Sequence, residues 1–120
     1  MPTTRDIAGT IVVAPELLVA QIDRALGRLP GIACAGTIPP QRVGAATARA
    51  PGIALTIGSE GVSVACHLVA YAGYSLVELG CAVQLIVAQI VDRQGGMPIT
   101  EVHVRFEDIA APAREERHHG

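Results

Sequence analysis

Eighteen residues, Leu76 to Arg93, constrain the fold of this chain more than any other stretch. Ser75-Leu-Val-Glu78 places a Ser-x-x-Glu box in front of them and Gly95-Gly96 closes them, so the run predicts a helix with defined ends. Projected at 100° per residue, Leu76, Leu79, Val83, Ile86 and Ile90 form the stripe expected to face a sheet. Burial of such side chains contributes about 1.5–3 kcal/mol each before conformational entropy is subtracted. Val77, Val87 and Val91 lie beside that stripe and widen the apolar arc to about half the circumference, leaving Glu78, Gln89, Asp92 and Arg93 as a narrow polar strip. One sheet covers less than that. These three valines are therefore expected either to be sealed by another segment of the chain or to form a contact surface for a second copy or another protein, and they are the candidate partner-binding residues.

The segments around the helix alternate like strands. "GIALTIGSEGVSVACHLVAY" predicts two strands joined by a tight Gly-Ser-Glu-Gly turn. In the second, Val62, Val64, Cys66, Leu68 and Ala70 share one face, with Ser63, Ala65, His67, Val69 and Tyr71 on the other. From Thr100 to Ile109, Thr100, Val102, Val104 and Phe106 oppose Glu101, His103, Arg105 and Glu107, one packed face against one wet face. Upstream, "GTIVVA" (Gly9 to Ala14) reads as a short strand. Pro15 and Glu16 suit the first turn of a helix carrying Leu18, Ile22, Ala25 and Leu29, and "GIACAGT" reads as another strand. Thr37 to Pro51, with its prolines and no periodicity, reads as a flexible surface loop. The predicted order is β-α-β-β-β-α-β, an α+β two-layer sandwich. Its mainly antiparallel or mixed sheet has about four to five strands, with two helices on one face, in a single domain over residues 1–109 followed by a charged tail at 110–120.

Composition narrows the function classes. With 120 residues, half of them apolar, the chain suffices for one core. Nine basic residues, all Arg, against eleven acidic ones give a net charge of −2, so no basic field awaits a nucleic acid backbone. The opening "MPTTRDIAGTIVV" lacks the layout of a signal peptide, and Leu76 to Val91 falls short of the ~20 residues a membrane helix needs. The expectation is a cytoplasmic protein without direct membrane insertion. Three cysteines with no C-x-x-C pair argue against a disulfide framework.

No convergent reactive set emerges. Cys66 and His67 are consecutive on a strand, so they point to opposite faces and cannot share a metal. Cys66 reads as a small buried hydrophobe, and a structural role suits Cys81 as well. His67 and His103 are candidate cross-strand neighbours, two ligands without a third. Glu60 belongs to a turn, Glu78 to a cap, and "GSEG" joins strands instead of opening a helix. No catalytic, metal or cofactor-binding residue is assigned, and the chain reads as a binding or scaffold protein.

The stretch "Y-x-G-x-S-L-x-E-L…V-Q-x-x-V…I-V…G-G-x-P-I-x-E-V-H-V-R-F", Tyr71 to Ile109, resembles the C-terminal half of the alkaline shock protein family, bacterial proteins of the envelope stress response. "G-T-I-V-V-A-P-E-L-L…I…A-L…L-P-G-I-A", Gly9 to Ala33, is similar to the same family's N-terminal strand, helix and turn. The resemblance implies a non-enzymatic protein without cofactor, self-associating or held at the inner face of the membrane by a membrane-anchored partner. Two other readings compete. An RNA-binding αβ module has only Arg42 and Arg49 on the loop and Tyr71, Tyr74 and Phe106 as stacking residues, and a Cys/His metal site rests on the histidine pair alone.

Overall fold

The structure, a computed structural model, describes residues 8–39 and 45–112. Its elements are helix α1 (Pro15–Gly27), strands β1 (Ile32–Ala35), β2 (Ala48–Ala50), β3 (Ile53–Gly58) and β4 (Gly61–Tyr71), helix α2 (Leu76–Ile90) and strand β5 (Ile99–Ala110). A single π turn, Val91–Gly95, extends α2 and is closed by Gly96 in the left-handed conformation. Class, strand number and the placement of both helices on one face are those expected from the sequence.

Strand β4 organises the sheet. Ser59-Glu60 turns β3 back onto it, with Gly58 opposite Gly61 and Ile53 opposite Cys66. Along the same edge β1 continues the antiparallel pairing, Ile32 opposite Ala70 and Ala35 opposite Leu68. Two strands thus share one edge of β4 in tandem. The joint falls at His67, whose N–H donates to the Gly52 carbonyl while its own carbonyl accepts from Gly36 N–H. Glycine is required at Gly52, and at Gly36 it leaves room for the Glu107 carboxylate. Gly52 has φ +75°, and a Cβ on it would stand 2.6 Å from the His67 carbonyl oxygen; a Cβ on Gly36 would stand 2.6 Å from the Glu107 carboxyl carbon. Along the other edge of β4 runs β5, parallel, from Val62↔Ile99 to Tyr71↔Ala110, which makes the sheet mixed. The parallel step follows from α2, because a parallel neighbour requires a crossover and the helix supplies it.

Both helices lie on the face of the sheet carrying Ile53, Leu55, Val62, Val64, Cys66 and Leu68. Leu18, Val19, Ile22 and Leu26 of α1 and Val83 and Val87 of α2 complete one cluster with them. Pro15 and Glu16 open α1 as expected, and its four buried residues lie at the spacing of a single helix face.

Two segments differ from their sequence reading. Gly9 to Ala14 forms no strand: Ile11 is 94% exposed, and only Val13 reaches the core. The segment has strand-forming side chains, yet a strand is stable only against an open edge, and this one lies against none. Thr37 to Pro51 is not wholly a surface loop. Ile38 is buried against Ala54 and Ala65, and β2 pairs with β3 from Ala48↔Leu55 to Ala50↔Ile53, with Ala48 in the core. Three residues are too few for a period to register, whereas the ladder they complete is non-local in origin. Within that loop, residues 40–44 lie outside the described residues, as do 1–7 and, within the charged tail, 113–120.

Candidate functional site

The phase of α2 decides which of its residues are available. Ser75 is the N-cap, its Oγ accepting the Glu78 N–H at 3.2 Å, as the Ser-x-x-Glu box predicts. From that fixed start the most deeply buried positions recur every four residues, Leu79, Val83, Val87 and Val91, while Ile86 and Ile90 flank them half-buried. Val87 and Val91 are 0% exposed, so two of the three candidate partner-binding residues are core. Their cover comes from α1. Leu18, Val19, Ile22 and Leu26 join them in one cluster, so the apolar arc of α2 is filled by a sheet on one flank and a helix on the other.

Val77 alone remains outward, 77% exposed. Four and eight residues on, Cys81 and Leu85 are exposed on the same side, Leu85 at 59%. Leu76, expected on the sheet-facing stripe, is 38% exposed at the helix start on the side opposite Leu85, and Tyr74 precedes the Ser75 cap. Leu85 was not singled out from the sequence. The signal was present, since Val77, Cys81 and Leu85 are spaced by four, but the inward stripe has the same spacing and the same residue types.

Beside this stripe lies the outer edge of β5. Among the described residues β4 is its only strand neighbour, so the outer side of this twelve-residue strand meets no second strand. Gln84 Nε2 reaches from α2 to donate to the Val102 carbonyl at 3.2 Å. The face of β5 turned away from the helices carries Glu101, His103, Arg105 and Glu107.

That second face of the sheet has a polar centre. His67 is 5% exposed, and its Nδ1 lies 3.0 Å from the Thr37 carbonyl oxygen. A carbonyl only accepts, so Nδ1 carries the proton, and in the neutral ring Nε2 is a bare lone pair. Among the described residues Nε2 is buried without a hydrogen-bond partner. The Glu107 carboxylate accepts the Thr37 N–H with both oxygens at 3.1 Å and stands 3.9 Å from His67 Nδ1, beyond hydrogen-bond range. Glu107 is the extra residue where the β4–β5 register shifts between Leu68 and Val69, and such a bulge re-aims its side chain. His67, His103, Thr37, Pro39, Arg105 and Glu107 line a recess of about 450 Å³. The ring centroids of His67 and His103 are 6.4 Å apart, the neighbour relation expected from alternation, although His67 is enclosed instead of solvated. Among the described residues no three His, Cys, Asp or Glu side chains converge as a metal site.

Cys66, one residue before, belongs to the opposite face. It is fully buried in the main cluster, as alternation predicts, and burial pushes its thiol up from 9.0 to about 12. That is the reverse of what a nucleophilic cysteine requires. Cys34 and Cys81 are free and exposed. No described helix is long and apolar enough to cross a membrane. Compared with known proteins, the chain matches no family model, no curated protein and no solved structure.

Proposed function

We propose that this chain is a non-enzymatic scaffold that works by protein–protein contact, of the envelope-stress kind its sequence resembles. It associates with itself or with a membrane-anchored protein partner at the cytoplasmic face of the membrane. The observation that carries this reading is the outward side of α2. Val77 and Leu85 are large apolar side chains left exposed, with Cys81 between them, on the side of the helix turned away from its packed stripe. A helix that served only its own core would carry polar residues there, and exposed apolar groups gathered on one element mark contact surfaces. Two polar residues of the second face are engaged in structure: His67 and Glu107 hold the Thr37 backbone onto the sheet.

Fractionation tests the reading. Wild-type chain sediments with native bacterial membranes and not with protein-free vesicles of the same lipids, and a Val77→Asp/Leu85→Asp variant stays in the supernatant with an unchanged circular dichroism spectrum. Sedimentation with bare vesicles, or wild-type chain that is monomeric and absent from the membrane fraction, would refute it.

A further inference from the structure

We infer that the outer edge of β5 pairs antiparallel with the same edge of a second copy, about a two-fold axis through His103. The inference deepens the scaffold reading and rests on it, naming a second copy as the partner and a strand edge as the contact.

The argument starts from the open edge. An unpaired row of backbone N–H and C=O groups is a template for another strand, and monomeric proteins blunt such edges with short strands, Pro or charges that repel an incoming copy. Strand β5 has twelve residues and no internal Pro, and its ladder with β4 is regular from Glu101 to Phe106, between register shifts at Thr100 and Glu107; Gln84 Nε2 donates to the Val102 carbonyl, whose second lone pair can accept from another strand. The charges it carries are Glu101, Arg105, Glu107 and Asp108, and Glu101 and Arg105 flank His103 with opposite sign on one face. A repelling edge carries one sign; a mixed edge selects a register.

That register follows by elimination. A two-fold axis perpendicular to the sheet keeps each face on its own side, so it must pass through a residue. Centring on Val104 sets Glu101 against Glu107, a like-charge pair, and centring on Arg105 sets the guanidinium against itself. Centring on Phe106 needs Glu107 as the partner of Arg105, yet that carboxylate already accepts the Thr37 N–H. Centring on Val102 leaves Arg105 opposite Ile99, with no acid to meet. Centring on His103 places Glu101 of each copy opposite Arg105 of the other, two opposite-charge pairs, and on the helix side sets Val102 opposite Val104 twice. On the axis His103 meets its own copy without conflict, because a neutral imidazole both donates and accepts. The half-buried Val102 and Val104 gain cover, and the two five-stranded sheets become one.

Sedimentation equilibrium of the whole chain tests the inference by charge exchange. Glu101 and Arg105 are exposed, so single reversals leave the fold intact, which thermal melting checks. Wild type is a dimer. Glu101→Arg alone and Arg105→Glu alone each weaken the dimer on the order of tenfold or more, since two attractive pairs become two repulsive ones. Mixing the two variants restores a heterodimer, because one chain is then basic at both positions and the other acidic at both, so each cross-strand pair again joins opposite charges; a misfolded chain does not rescue. A wild type that stays monomeric up to submillimolar concentration overturns the inference, as does a dimer indifferent to both reversals. If that dimer is broken instead by Leu85→Asp, self-association runs through α2, and the edge inference fails while the scaffold reading stands. If it is broken by Ile11→Asp, the Gly9 to Val13 segment of another copy fills the edge, and the inference fails likewise.

Discussion

Cys66 and His67 are consecutive residues of β4, and each reports on a different side of the same sheet. Cys66 sits in a cluster of apolar side chains from two helices and all five strands, where nothing directional is required and burial itself holds the thiol neutral. His67 is almost as deeply buried, yet its surroundings are directional: a carbonyl on Nδ1, a carboxylate nearby, and an Nε2 that no described residue meets. The helix-covered face is stabilised by area removed from water, which tolerates change of shape better than change of charge. The other face is held by a few specific contacts onto one backbone segment, each worth about 1 kcal/mol. Most of the stability thus resides on the first face, and the second has freedom to specialise.

The largest expected effect comes from placing a charge on the covered face. Val87→Asp puts a carboxylate at a fully enclosed position between α1, α2 and the sheet, with no partner in reach. Its desolvation exceeds what a domain of this size can lose, on the order of 5 kcal/mol or more, so the variant is expected to lack a cooperative thermal transition. A cooperatively folded Val87→Asp would mean that this flank opens to water and that the contrast between the faces is overstated. Next in size is an alkaline effect confined to Cys66. The folded thiol titrates near 12 and the unfolded one near 9.0. Below pH ~9 both states hold the proton and stability is unaffected; above it only the unfolded chain releases one, so stability falls as pH rises from 9 towards 12. Denaturant titrations near pH ~10.5 should give roughly 2 kcal/mol less than at neutral pH, and Cys66→Ala should remove that part of the slope. A slope unchanged in Cys66→Ala would assign it to other groups.

What the sequence disclosed divides along the same line. Elements specified locally were legible: the capping box of α2, the Gly58 to Gly61 turn, the proline start of α1, and the alternation that parts Cys66 from His67. Whatever depends on a distant segment was not. The packing of α1 against Val87 and Val91 is a tertiary outcome, and α2 alone has two stripes of similar chemistry at the same spacing. Likewise, alternation placed His67 on a face described as wet. It is dry because Gly36 and Gly52 end one strand and begin another beside it, bringing Thr37 over the ring. Strand β2 exists because it lies along the edge of β3, whereas Gly9 to Ala14 stays exposed because it lies along no strand.

On the polar face, Glu107→Ala tests how much one contact holds. The side chain is 28% exposed and accepts a backbone N–H that water can reach, so the expected loss is about 1 kcal/mol, read from chemical denaturation. A loss of 3 kcal/mol or more would show that the Thr37 segment, and not the helical face, governs cooperativity.

The smallest effect is expected from the valine that shares a helix with Val87 and nothing else. Val77 lies in the first turn of α2, two residues past the Ser75 cap and 77% exposed. Val77→Asp removes little buried area there, and a carboxylate in the first turn faces the positive end of the helix dipole, a gain of about 0.3–1 kcal/mol that offsets the poorer packing. Folding stability of the isolated chain should therefore change by less than about 0.5 kcal/mol, against the collapse expected from Val87→Asp ten residues away. Because Val77 contributes so little to the fold, any loss of membrane sedimentation in this variant measures contact with a partner. A destabilisation of 2 kcal/mol would place Val77 in the core after all and remove the outward stripe from which the scaffold reading is drawn.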